Sequence, residues 1–259
     1  MFHMLVQDED DTDVKKLAAT APKNESATAL TSADSNPEKC LSAACSLPVE
    51  QVRAELDLGR SKYRAVNIDG VQLMVAQPKL DSASSVGRIV TTRDVLTGVY
   101  EGGMKVWECS LDLVRFLASN PSTIGKSGLV SNTKSSADAV RHLDSLPVIN
   151  VLELGCGHGL PGIFTLKKFP NCKVCFQDLN EEVLQYTTAS NVVYNAGREA
   201  TDTRACFVRG DWTSASFVPK LFEIAKCRSF DVVLAAETLY TKSSSVIMSQ
   251  LLWQLLTPK

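Results

Sequence analysis

The sequence predicts an α/β fold: a doubly wound parallel sheet with a β-hairpin extension on its N-terminal side. Three observations predict it. Four apolar runs, "PVINVLEL", "CKVCFQD", "RACFVRGD" and "FDVVLAAE", are each followed by a helical pattern, and such alternation belongs to a parallel sheet covered on both faces. The glycine-rich loop "GCGHGLPG" joins the first run directly to the first of those helices, which is where open α/β sheets hold ligands. Carboxylates stand at or next to the ends of the runs: Glu153, Asp178, Asp211 and Glu237.

The elements follow in chain order. Residues 1 to 47 are polar and poor in aromatics, as in "TAPKNESATALTSADSNPEKC". They hold too little apolar surface to offset the entropy of ordering, so a disordered tail is expected. Residues 48–94 form an extension, in which two alternating runs flank Asp69-Gly70. That pair tolerates positive φ and marks a hairpin. From residue 95 to 259 runs the main domain. In "KVWECSLDLVRFLAS", Val106, Leu111, Val114, Leu117 and Ala118 recur near helical spacing, so a helix is expected over 106–118. "NPSTIGKSGLVSNTKSS" reads as a loop. Pro161 suits the first turn of "GLPGIFTLKKF". Asn180 is the expected N-cap of "NEEVLQYTTASNVVYNA", with carboxylates in its first turn. "SASFVPKLFEIAK" and "SSSVIMSQLLWQLL" read as the last two helices.

Composition narrows the function classes. At 259 residues and 44% hydrophobic content the chain can bury a full core. A net charge of −2 and a pI near 6.0 give no global nucleic-acid footprint, so no direct nucleic-acid partner is expected. No run reaches the roughly 18 apolar residues of a membrane span, and the N-terminus lacks the basic and apolar regions of a signal peptide. The eight cysteines have no disulfide-framework spacing and read as reduced thiols. Cys172 and Cys175 form one C-x-x-C, without the second pair that zinc needs, so no metal is expected.

The glycine loop allows two cofactors. From Gly157 it spells G-H-G-L-P-G, the dinucleotide fingerprint; from Glu153 it spells E-L-G-C-G-H-G, the loop of S-adenosylmethionine (SAM) enzymes. Gly155, Gly157 and Gly159 permit a sharp turn and a close backbone approach in either case. Asp178, about twenty residues on, suits the ribose hydroxyls of either. The other strand ends discriminate. Asp211 beside Trp212 suits an adenine amino group and ring face, and Glu237, Thr238 and Tyr240 lie above the same edge. Trp107 and Glu108 open the upstream helix. Carboxylates and aromatics suit a sulfonium cation. They suit a pyrophosphate badly, and no arginine or lysine lies between Glu153 and Gly162. His158 sits in a variable slot of the loop and is expected to take no part in catalysis.

The set "GVYEGGMKVWECSLDL", "VLELGCGHGLPGI", "FQDLN", "GDW" and "ETLY" resembles the seven-β-strand protein-histidine methyltransferases that modify a histidine of a large-subunit ribosomal protein. The similarity runs from about Val95 to the C-terminus, with "VYEGG…WECS" its specific part. The resemblance implies a Rossmann-like class I methyltransferase sheet and SAM as cofactor. Val106, Trp107, Glu108, Cys109 and Ser110 would flank the cofactor, and Gly155 would meet its methionine portion. Gln177, Asp178 and Leu179 would surround the ribose; Gly210, Asp211 and Trp212 would hold the adenine; Ala236 would face the cofactor, in place of a serine. It also implies a protein substrate and residence in cytoplasm, nucleus and nucleolus.

In the expected reaction a neutral imidazole nitrogen attacks the SAM methyl group. With an ordinary pKa near 6.5, the ring needs alignment and exclusion of water more than acid–base help. Glu237 is the expected partner of the other ring nitrogen, and Tyr240 lines the opening. Lysine methylation within the same branch is the alternative, since Glu237 and Tyr240 also fit that branch's acidic-x-x-aromatic motif. A catalytically inactive binding module and a nicotinamide oxidoreductase are the readings from other classes. Relatives of the fold have strand order 3-2-1-4-5-7-6, whereas this chain ends at "LLWQLLTPK". The expectation is a C-terminally incomplete domain whose last strands are absent, with the fourth strand at an edge and part of the substrate cleft missing.

Overall fold

The computed structural model describes residues 45–46, 61–78, 95, 99–125 and 146–256. The chain divides into two units, Met1–Asn36 and Pro37–Lys259. The first lies outside the described residues, as do the rest of the expected tail, most of the extension around the hairpin, and most of the expected loop after residue 125.

Two segments precede the main sheet: β1 (Cys45–Ser46) and the hairpin of β2 (Ser61–Ile68) and β3 (Val71–Pro78). Then come α1 (Glu108–Ser119), β4 (Ile149–Leu154), α2 (Leu160–Lys168) and β5 (Cys172–Asp178). The next helical stretch has three parts: α3 (Glu181–Val183), a π-helical turn (Leu184–Thr188) and α4 (Ala189–Ala196). The chain continues through α5 (Arg198–Arg204), β6 (Ala205–Arg209), α6 (Phe217–Ala225), β7 (Val232–Ala235) and α7 (Lys242–Leu255).

The main sheet has the order β1-β6-β5-β4-β7. All neighbours are parallel except β1, which runs antiparallel to β6 through Cys45↔Arg209 and Ser46↔Val208. The four long apolar runs therefore take the order 3-2-1-4, with helices on both faces. The composition had placed residues 45 and 46 in the tail, yet they join the sheet through backbone hydrogen bonds, which need no apolar pattern.

Strand alternation sends side chains to two cores. Val151, Val174, Phe176 and Phe207 face one side, against residues of α1, α2, α4 and the hairpin. Leu152, Leu154, Cys175 and Val208 face the other, against Phe217 and Leu221 of α6 and Met248, Leu251 and Leu255 of α7. Each such side chain contributes roughly 1.5–3 kcal/mol on leaving water. Cys172 belongs to the first core and Cys175 to the second, so the two thiols of the C-x-x-C point to opposite faces of the sheet.

Several local expectations shift. The hairpin turns at Asp69 and Gly70 with φ of 46° and 86°, the pair of positive values a two-residue turn of this hand needs. α1 begins at Glu108, with Val106 and Trp107 before it. Asn180 stands at the N-cap position of α3 but makes no capping bond; its amide instead donates to the Val99 carbonyl at 2.7 Å. The helix expected across residues 180–196 is interrupted by the π turn. α5 has no sequence-level forecast, because "REATDTR" lacks an apolar stripe. α7 begins with a capping box: Thr241 Oγ1 accepts from Ser244 N at 3.0 Å, and Ser244 Oγ accepts from Thr241 N at 3.1 Å. No helix among the described residues is long and apolar enough to cross a membrane.

The hairpin is held to α4 by asparagines acting as a substitute strand. Asn195 accepts from Met74 N at 2.8 Å and donates to Met74 O at 2.7 Å. The buried Asn191 accepts from Ala76 N at 2.6 Å. Tyr63 lies against Tyr194, ring centroids 4.4 Å apart. Because Asn191 is fully buried, Asn191→Ala leaves the Ala76 N–H without a partner and is expected to cost about 2–3 kcal/mol in urea denaturation. A loss below about 0.5 kcal/mol would mean that the apolar face of the hairpin suffices.

Candidate cofactor site

β4 ends at Leu154 and the glycine loop begins at once, at the carboxyl edge of the sheet. Gly157 has φ 48°, and a Cβ there would lie 3.1 Å from the Gly103 carbonyl oxygen. Backbone thus packs on backbone where the loop meets the segment before α1. At Gly162 in α2, a Cβ would fall 2.5 Å from both a Glu153 carboxylate oxygen and the Phe176 ring. Only glycine lets α2 approach β4 and β5 so closely.

The strand ends hold the loop. Asp178 accepts from Gly157 N at 3.0 Å and from Asn180 N at 3.1 Å. Burial outweighs these bonds and pushes its carboxyl up to about 6. Gln177 accepts from Trp212 Nε1 at 2.8 Å and from Gly155 N at 3.3 Å, and donates to Gly210 O at 2.8 Å. It straps three strand ends together. Thr188, the last residue of the π turn, donates to Gly157 O at 2.5 Å. Glu153 accepts from Gly162 N at 2.8 Å, and burial pushes it up to about 8.

His158 is the central knot. Its Nδ1 can only accept from Asn191 Nδ2, at 3.2 Å, because the amide oxygen of Asn191 is engaged by Ala76 N. The ring proton is therefore on Nε2, which donates to Met104 O at 3.0 Å. Burial lowers its pKa to about 4, so the ring is neutral near pH 7. Both ring nitrogens of His158 are thus engaged within the protein. Its structural part was not foreseen, because Asn191 and Met104 are distant in sequence.

These elements enclose a cavity of about 580 Å³. From upstream of β4, Trp107 and Ser110 line it; from the glycine loop and its strand, Glu153, Gly155 and Gly157. Asp178 and Leu179 line it after β5, Gly210, Asp211 and Trp212 after β6, and Ala236, Glu237 and Tyr240 after β7. Four residues expected at the cofactor do not line it: Val106, Glu108, Cys109 and Gln177. Val106 packs on the first core. Glu108 is the exposed first residue of α1. Gln177 is buried behind the loop as its strap. Cys109 is exposed, and the Glu237 carboxylate that accepts from its thiol pushes it up to about 11.

Two charged lining residues escaped the sequence reading. Glu101, in the irregular segment before α1, accepts a hydrogen bond from the Tyr240 hydroxyl. Lys105 stands over the Trp107 ring at 4.5 Å. Among the described lining residues, the acidic side chains of Glu101, Glu153, Asp178, Asp211 and Glu237, of which Glu153 holds its proton near pH 7, stand against the single ammonium of Lys105. Such a lining favours a cation and disfavours a pyrophosphate.

A family model described as "Lysine methyltransferase" matches residues 93–259. A histidine protein methyltransferase 1 homolog of Dictyostelium discoideum is 38% identical over 157 residues, covering 61% of this chain and 40% of that protein. One of Bos taurus is 30% identical over 187 residues, covering 63% of this chain and 43% of that protein. The chain thus spans less than half the length of either relative. Among solved structures, a glycopeptide N-methyltransferase complexed with sinefungin is 17% identical with a TM-score of 0.33, covering 57% of this chain and 56% of that one.

Glu153 makes folding stability pH-dependent in a defined sense. Its pKa is about 8 in the folded chain against an ordinary 4.5. Between those values the folded state keeps a proton that the unfolded state has shed, so stability falls as pH rises. His158, lowered from 6.5 to about 4, acts oppositely, removing stability as pH falls through that window. Above pH 6.5 the Glu153 effect stands alone of the two. Denaturation of Glu153→Gln between about pH 6.5 and 8 is expected to lose a downward slope of roughly 1 kcal/mol per pH unit that the wild type shows. Parallel curves for the two proteins would refute it.

Proposed function

The chain belongs to the lysine methyltransferase family whose model spans residues 93–259, and from that membership we propose that it binds SAM and methylates a histidine side chain of a protein. The observation that carries the reading is the acidic cavity at the strand ends, built on a glycine loop. Its volume of about 580 Å³ lies within the usual range for small-molecule sites. When bound, SAM supplies a methyl group on a cationic sulfur, whose C–S bond returns its electron pair to sulfur as an acceptor nitrogen takes the carbon.

We assign the residues of this chain as follows. The Gly155 and Gly157 backbone meets the methionine end. Asp178, already fixed by Gly157 N and Asn180 N, has lone pairs left for ribose hydroxyls. Leu179, Gly210, Asp211 and Trp212 flank the nucleoside, with the indole set by its bond to Gln177. Trp107, Ser110 and Ala236 complete the walls. Glu237 puts negative charge beside the place where the acceptor becomes positive, and Tyr240 stands at the opening, half exposed.

Histidine is favoured over lysine by the acid–base inventory. A neutral imidazole is abundant near pH 7, whereas a lysine ammonium with a pKa near 10.4 must first lose a proton. His158, the histidine lining the cavity, has both ring nitrogens engaged and is not placed to take that proton. The names of the Dictyostelium and Bos relatives support the same choice. Lysine remains the second reading, favoured by the description of the family model and by an acidic cavity that attracts ammonium. The sequence resemblance directs the search for substrate to large-subunit ribosomal proteins, and hence to cytoplasm and nucleus.

Incubation with methyl-tritiated SAM and purified large-subunit ribosomal proteins, followed by acid hydrolysis, separates the readings. Label in methylhistidine is expected; label in methyllysine alone would select the second reading. Glu237→Ala is expected to lose about 100-fold in transfer while calorimetry shows SAM affinity within about threefold of wild type. An equal loss of SAM affinity would make Glu237 a cofactor residue.

A further inference from the structure

The mouth of the cavity is framed by two segments 139 residues apart in sequence, joined by the hydrogen bond from the Tyr240 hydroxyl to Glu101. Resting on the methyltransferase reading, we propose that Glu101, steadied by Tyr240, is the carboxylate that receives the far-side N–H of the target imidazole and thereby selects a ring over an amine.

The backbone around Glu101 is fixed on both sides. The Val99 carbonyl accepts from Asn180 at 2.7 Å. Tyr100 is buried, and its hydroxyl accepts from Met104 N at 2.9 Å. The Gly102 carbonyl accepts from Trp107 Nε1 at 3.0 Å. The Met104 carbonyl accepts from His158 at 3.0 Å. Gly103 rests on Gly157, which sets the spacing between this segment and the glycine loop. In the middle of this scaffold Glu101 lines the cavity. A group held in place before the ligand arrives loses little freedom on binding it, which is how a positioning carboxylate becomes effective.

Glu237 is placed for a different part. Its carboxylate accepts from the Cys109 thiol, on the α1 side of the cavity. Its backbone has φ 56°, a left-handed conformation rare outside glycine. Glu101 lines the cavity from the segment before α1 and holds Tyr240. A carboxylate offers about four lone-pair sites, so Glu101 can accept a ring N–H in addition to the partners it already holds, Tyr240 among them.

The selectivity follows from where each substrate carries its protons. An imidazole attacks with one nitrogen and presents an N–H on the opposite side of the ring. A lysine has one nitrogen, so its hydrogens sit on the atom that attacks. An acceptor that meets the ring N–H remote from the attacking nitrogen orients a ring and has no equivalent donor to hold in an amine. As the ring becomes positive the bond to Glu101 turns charge-assisted at both ends and strengthens.

The test uses 4-methylimidazole titrated into the full chain saturated with S-adenosylhomocysteine, with the ring protons followed by NMR and the nucleoside affinity by calorimetry. Glu101→Gln is expected to weaken 4-methylimidazole about tenfold and Tyr240→Phe about threefold, with S-adenosylhomocysteine affinity within about twofold of wild type in both. Undiminished 4-methylimidazole binding by Glu101→Gln, or no saturable binding by the wild type, overturns the proposal alone. A collapse of S-adenosylhomocysteine affinity in Glu101→Gln also overturns it, since Glu101 would then hold the cofactor. Failure of the wild type to bind S-adenosylhomocysteine overturns the methyltransferase reading itself.

Discussion

The hydrogen bonds of His158 and Asn191 are the constraint on which the rest depends. Asn191 accepts from the hairpin at Ala76 and donates to both the ring and the carbonyl of His158. The ring in turn donates to the Met104 carbonyl. Hairpin, helix α4, glycine loop and the Glu101 segment thus meet through two buried side chains. Neither side chain has spare capacity for chemistry. Because Asn191 fixes the tautomer, the direction of each bond is also fixed, and a neutral ring is the only state that fits. A group that titrates near neutrality in water has been converted by burial into a passive connector.

Charge is distributed by depth. Glu153 and Asp178 lie deep and are pushed toward their neutral forms by burial. Asp211, Glu101 and Glu237 are less buried and stand toward the open side. A cationic ligand entering this gradient meets solvated charge first. Farther in it meets groups whose ionisation its own positive charge would favour. A cation therefore recovers part of the desolvation cost of the deep carboxylates, whereas an anion increases it.

The legible parts of the structure were those written in local pattern. Asp69-Gly70 announced the hairpin turn, four apolar runs announced the parallel strands, whose order came from the family resemblance, and the carboxylates at the strand ends marked the edge where the cavity lies. What escaped notice depended on direction or distance. Gln177 was the right residue type at the right strand end, but its side chain turns inward to Gly155, Gly210 and Trp212. Cys109 and Ser110 adjoin in sequence, yet one faces out and the other lines the cavity. Glu101 sits in a segment without periodicity, and its partner Tyr240 is known only once β7 is placed beside β4. α5 is polar throughout, and β1 is too short to carry a pattern. The π turn left no composition signal either, since "LQYTT" reads as ordinary helix.

That turn has a consequence for how the chain tolerates length change. A π turn amounts to one residue inserted into an α-helix and taken up by one wider turn. Before the insertion lie the residues that follow Asp178 at the sheet edge; after it lie Asn191 and Asn195, aimed at the hairpin. Deleting a single residue between 184 and 188 would close that turn to regular helix, with both asparagines left in nearly the same phase toward β3. It would move Thr188 from the Gly157 carbonyl. The wide turn thus stores one residue of slack: it presents Thr188 to the glycine loop while the helix beyond it keeps its aim at the hairpin.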